Sequence, residues 1–160
     1  MPASGDYACA TIMTVGIVDD VRGAADWVAA ALAESGYRAD FSPGSLWEIE
    51  RFFEVEAPDG RPRPDGLLAQ QLGARVFAVG AYVGEVVRRH AGGTWLGDDD
   101  DPAAEVNVAL VLPDRRRIWP VQRVMKRFSN GAEDSIIAYA TALGLDPGAR
   151  PVKPRRRWFR

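Results

Sequence analysis

The chain has 160 residues, 47% of them hydrophobic and 26% charged, with a formal net charge of −2. It is long enough for one domain with a sizeable core, and too apolar for wholesale disorder. Its single cysteine, Cys9, excludes an intrachain disulfide and a thiolate-rich metal site, and suits a reducing cytoplasm.

Residues 1–10 read as a loose leader. They place Asp6 and no basic residue ahead of the first apolar run, which is not the arrangement of a secretory signal. ATIMTVGIV (10–18) is rich in β-branched residues and reads as a buried strand. Asp19 or Asp20 then caps a helix that runs to about Ser35. Val21, Ala24, Ala25, Val28, Ala31 and Leu32 fall near the 3.6-residue period, and Gly36 is a suitable stop. Ser42-Pro43 starts a second helix, with Ser45 and Glu48 offering a capping box in another register. Either way Leu46, Ile49, Phe52 and Phe53 turn toward the core. APDGRPRPDG (57–66) is an exposed loop.

The central segment, LLAQQLGARVFAVGAYVGEVVRRHAGG, is expected to form a long helix near 67–90. Its middle is apolar on nearly every face, which indicates burial on several sides. Gln70, Gln71, Arg75 and Glu85 make it a poor membrane span. An interior glycine costs roughly 1 kcal/mol relative to alanine. Gly80 and Gly84, one turn apart, are therefore expected to let another backbone come close. Gly92-Gly93 ends the helix.

Thr94-Trp95-Leu96 reads as a short strand and GDDDDP as an acidic loop. EVNVALVL (105–112) alternates, with Val106, Val108, Leu110 and Leu112 on one face. A turn at 113–117 returns the chain as a strand over 117–121, giving a hairpin with Pro120 at an edge. A helical turn follows at 121–128, and a last helix over 132–143 stops at Gly144. The fold class is α+β: about four helices packed on a small, mainly antiparallel sheet. Residues 1–149 make one globular domain. Residues 150–160 are a Pro-containing tail with six basic and no acidic residues, expected to be mobile, so the body stands at −8.

Few residues invite chemistry. Asp98 to Asp101 could help bind a hard cation, but the run lacks the alternate spacing of a calcium loop and reads as a solvated tip. Glu85, in the most apolar segment, is the one candidate general acid or base. The competing structural role is an ion pair with Arg88 or Arg89, three and four residues on. Tyr82 and Trp95 are the candidate ligand-binding neighbours of Glu85. His90 is the only histidine, and no serine has a nucleophile-elbow context. No phosphate-binding glycine loop and no zinc-binding helix motif occurs, so neither a cofactor nor a metal is expected. In the tail, Arg155, Arg156, Arg157 and Trp158 could contact nucleic acid or an acidic partner.

The succession GYRADFSPGSLWEIERFF, LGARVFAVGAYVGEVVRRHAGGTW and RRRIWPVQRVMKRFSNG resembles a loose group of small bacterial proteins of unknown function. In these a Gly-Ala-Tyr-x-Gly-Glu helix leads to a tryptophan strand and a hairpin. The resemblance covers roughly residues 36–131 and implies a fold without an activity.

By elimination, the expected function is that of a non-catalytic cytoplasmic protein that binds another protein, as an accessory or toxin-neutralising factor does. Its acidic body suits a basic partner. The alternative is a small enzyme or small-molecule binder with its site near Glu85. Nucleic-acid contact through the tail ranks last, and no membrane partner is expected.

Overall fold

The computed structural model describes residues 15–152. The expected leader, most of the expected strand at 10–18, Cys9 and Arg155 to Trp158 lie outside them.

Six α-helices and three short strands follow one another in the described residues. Helix α1 spans Ile17–Glu34, α2 Leu46–Glu56 after a 3-10 turn at Pro43–Ser45, and α3 Leu72–Ala91. Strand β1 (Thr94–Leu96), the single-turn α4 (Ala104–Asn107), β2 (Ala109–Val111) and β3 (Arg117–Ile118) form the middle of the chain. Helix α5 (Pro120–Asn130) and α6 (Ile136–Ala142), separated by a 3-10 turn at Gly131–Asp134, complete the fold. The architecture is α+β. The sheet is antiparallel in the order β1-β2-β3, with Trp95 opposite Leu110 and Leu110 opposite Ile118.

Helix α3 is the axis of the molecule. It packs on α1 and on α5, and every residue from Val76 to Val87 is buried. Gly80 and Gly84 set these distances. A Cβ on Gly80 would lie 2.6 Å from the Cα of Val121, so α3 and α5 meet nearly backbone to backbone. A Cβ on Gly84 would lie 2.2 Å from Trp95 Cη2 and 3.0 Å from Pro120 Cγ. The second glycine therefore accommodates an indole ring and a proline, not another backbone.

Several elements depart from the sequence reading, each for a local reason. Ile17 and Val18 begin α1 and do not belong to a strand. The Ile17 N–H donates to Asp99 Oδ1 at 2.8 Å, so the cap comes from 82 residues away, while Asp19 and Asp20 complement the dipole of the first turn. Helix α3 starts at Leu72, because Gln71 is left-handed (φ 52°) and residues 66–71 form turns. Those turns are tied by Glu56, which accepts from the Leu67 N–H at 2.7 Å, and by Arg75, which donates to the Leu67 carbonyl.

Residues 104–107 are helical because Asp101 accepts from the Ala103 N–H and from Asn107 Nδ2, both at 2.8 Å. That local pairing outcompetes the strand, which is confined to 109–111. The returning strand ends at Ile118. Pro120 occupies the first turn of α5, where its fixed φ and missing N–H favour a helix. The last helix starts at Ile136, with the Ser135 side chain accepting from the Ala138 N–H. Of the remaining expectations, Ser42 caps the turn into α2 by accepting from the Ser45 N–H at 3.2 Å, and Gly144 ends the last helix at φ 91°.

Candidate functional site

Glu85, Tyr82 and Trp95 occupy the buried centre of the fold. Glu85 is 3% exposed and its carboxylate is saturated with donors. Trp95 Nε1 donates to Oε1 at 2.7 Å, Arg88 Nε and Nη2 donate at 2.7 and 2.9 Å, and Arg89 Nε donates at 3.3 Å. Burial pushes the carboxyl upward, but the hydrogen bonds from Arg88, Trp95 and Arg89 outweigh it and bring the pKa from 4.5 down to about 2. Glu85 is thus a fixed anion at neutral pH. A proton carrier needs a pKa nearer the working pH.

Tyr82 is fully buried one turn earlier on α3, and its hydroxyl faces elsewhere. It lies 2.7 Å from Ser45 Oγ and accepts from the Phe41 N–H at 3.0 Å. Burial pushes the phenol above its ordinary value. Arg89 joins the two halves of this network. While its Nε reaches Glu85, its guanidinium lies 3.6 Å over the Phe41 ring, which stacks tilted on Tyr82 at 4.7 Å. His90 Nε2 lies 2.9 Å from the Phe41 carbonyl oxygen. A continuous set of contacts therefore runs from Trp95 through Glu85, Arg89 and Phe41 to Tyr82 and Ser45. It fastens the loop at Phe41 (φ 60°) and strand β1 to the same helix.

Two further buried carboxylates escaped the sequence reading. Glu50, on α2, accepts from Arg127 Nε at 2.6 Å, from Ser135 Oγ at 3.1 Å and from the Ile136 and Ile137 N–H groups at 2.5 and 3.3 Å. It joins α2 to α5 and closes the N-terminus of α6. Glu56 accepts from Arg63 Nη2 at 3.1 Å as well as from the Leu67 N–H. Each partner is 7 to 87 positions away in the chain, so no spacing rule could reveal it.

The acidic run is structured. Asp99 caps α1, Asp101 holds α4, and Asp98 accepts from the Asp100 N–H at 3.0 Å. No group of three or more metal-ligating side chains is assembled among the described residues.

The surface carries one feature that the net charge concealed. Arg117, Trp119, Gln122, Arg123, Lys126 and Tyr139 line a shallow groove of about 180 Å³ where β3 meets α5 and α6. Trp119 is 41% exposed. In the preceding hairpin turn Arg115 is exposed and Arg116 pairs with Asp114 at 2.6 Å. Arg123 lies 4.8 Å over the Tyr139 ring and pairs with Asp134 at 3.2 Å, whereas Arg117 and Lys126 have no salt bridge among the described residues. At the other end of the chain, Arg150 pairs with Glu54 at 2.6 Å and Trp47 Nε1 donates to the Gly148 carbonyl at 3.1 Å, so the body extends to the first tail residue.

No helix among the described residues is long and apolar enough to cross a membrane. No family model, curated protein or solved structure matches the chain.

Proposed function

We propose that the protein is a non-catalytic accessory factor of the bacterial cytoplasm that acts by binding another protein, as a toxin-neutralising factor would. Its docking face is the basic, aromatic surface of β3 and α5, and the partner presents an acidic segment. One observation carries this reading: Trp119 stands exposed in a groove with Arg117, Arg123 and Lys126, in a body whose charge is otherwise acidic. Tryptophan and arginine are side chains that interface cores favour, and a cationic rim steers an acidic partner into place. The earlier expectation of a basic partner followed from the charge of the whole body. The local charge of this face reverses it.

The buried residues fit the same reading. Glu85, Tyr82 and Trp95 are hydrogen-bonded within the protein, which favours a structural role for them over the alternative site near Glu85. A protein partner is preferred to nucleic acid because the rest of the molecule repels phosphate.

The test is site-specific photo-crosslinking from position 119 in the native host, with position 61 as control. A single protein adduct whose crosslinked peptide is acidic, lost in the Arg117→Glu/Lys126→Glu variant, supports the proposal. A nucleic-acid adduct, an adduct indifferent to the charge reversal, or none at position 119 overturns it.

A further inference from the structure

A second feature lies away from the basic face. A cavity of about 150 Å³ opens between α1, α2 and the start of α3, lined by Trp27, Leu32, Phe52, Leu67, Arg75 and Val79. Its wall is apolar apart from Arg75 and the Ser35 side chain. Trp27 is 55% exposed, so its ring forms part of the wall while much of it faces water. An exposed indole beside an apolar wall leaves a large apolar surface available to a ligand.

Arg75 is unusual within this wall. Its Nη1 donates to the Leu67 carbonyl, but its Nε is buried and has no hydrogen-bond partner among the described residues. No carboxylate among those residues lies within salt-bridge distance of it, although Arg51, Arg63, Arg88, Arg89, Arg127 and Arg150 all have one. A buried donor without an acceptor is unfavourable, and a guanidinium beside an apolar wall without a counter-ion more so. Arg75 also sits in the first turn of α3, where a cation opposes the helix dipole. That turn has neither an acidic residue nor a side-chain cap.

We propose that this cavity binds a small aromatic carboxylic acid, with the ring between Trp27, Phe52 and Val79 and the carboxylate on Arg75. Size suits the apolar part, since an open cleft of about 150 Å³ lined by aliphatic and aromatic side chains has room for a ring of the size of benzene. Chemistry fixes the polar part, because a planar guanidinium without a carboxylate partner matches a carboxylate. The site is independent of the basic face, so either can fail without the other.

Benzoate is the probe, with toluene as its uncharged counterpart and benzylamine as its cationic one. Titration into the full-length protein, followed by amide chemical shifts, is expected to show saturable binding of benzoate with shifts centred on Trp27, Leu32 and Val79. Benzylamine should not bind. Arg75→Met should weaken benzoate at least about tenfold while leaving toluene binding unchanged, the loss expected for one charge-assisted contact. Val79→Phe, which fills the cavity, should abolish both, and if either variant is unfolded, Arg75→Lys tests the contact with the charge retained and the fork removed. Saturable benzylamine binding, benzoate shifts centred elsewhere, or benzoate affinity indifferent to Arg75→Met and Arg75→Lys would overturn the proposal. So would the absence of benzoate shifts at about 10 mM, well above the Kd such a contact pair supports.

Discussion

Trp95 locks the sheet onto α3 through Glu85. Its indole N–H donates to Glu85 Oε1 at 2.7 Å, and both groups are buried. The same ring fills the space left by the missing side chain of Gly84, the residue just before that carboxylate. A polar bond and a steric vacancy, adjacent in sequence, thus fix a single tryptophan.

Gly84→Ala forces a methyl to within 2.2 Å of that ring and 3.0 Å of Pro120 Cγ, and neither neighbour is the free end of a flexible chain. The expected loss is about 1–3 kcal/mol. Gly23→Ala, on α1 with nothing within 4 Å of the new Cβ, should instead stabilise by roughly 0.5–1 kcal/mol. Urea unfolding of both variants checks the contrast; equal effects would refute the packing role.

Glu85 makes stability depend on acid. Its folded pKa of about 2 lies below the ordinary 4.5, so its contribution is complete above 4.5 and is lost as the pH falls toward 2. Glu85→Gln should therefore be clearly less stable than the parent at pH 7, and the gap should narrow steadily between pH 5 and pH 3. Denaturant midpoints at several pH values measure it, and a gap that stays constant with pH contradicts the assignment.

Glu50 and Arg127 are 5% and 3% exposed and meet at 2.6 Å. Glu50→Ala strands the guanidinium and uncaps α6, with an expected cost of about 3–5 kcal/mol. In the double variant with Arg127→Met the stranded charge disappears, and part of that loss should return. Hydrogen exchange at Ile136 and Ile137 should remain accelerated in both variants, since their N–H groups lose Glu50 either way.

Asp99 is expected to be the one aspartate of its run that α1 senses. Asp99→Ala should cost about 1 kcal/mol, the usual value of an N-cap, whereas Asp100→Ala should fall within about 0.5 kcal/mol of the parent. Equal losses at the two positions in thermal unfolding would remove Asp99 from this role.

The helices were legible where periodicity and end signals agreed. Val21 to Leu32, the Ser42-Pro43 start and the glycines of α3 all foretold burial or termination from spacing alone. The elements misread were those whose ends are decided elsewhere. Ile17 and Val18 have strand-like side chains, yet they are helical because Asp99 arrives to cap them. Residues 105–107 alternate like a strand, yet Asp101 draws them into a turn of helix.

The same division holds for the central carboxylate. The sequence singled out Glu85, and its i+3 and i+4 arginines, from helix geometry. The third partner, Trp95, required a sheet to fold back across Gly84. Local propensity and periodicity act over one or two helical turns, and over that range the sequence determined this protein. Which caps, counter-ions and rings close each element depends on groups tens of residues apart, and only their meeting in three dimensions decided those.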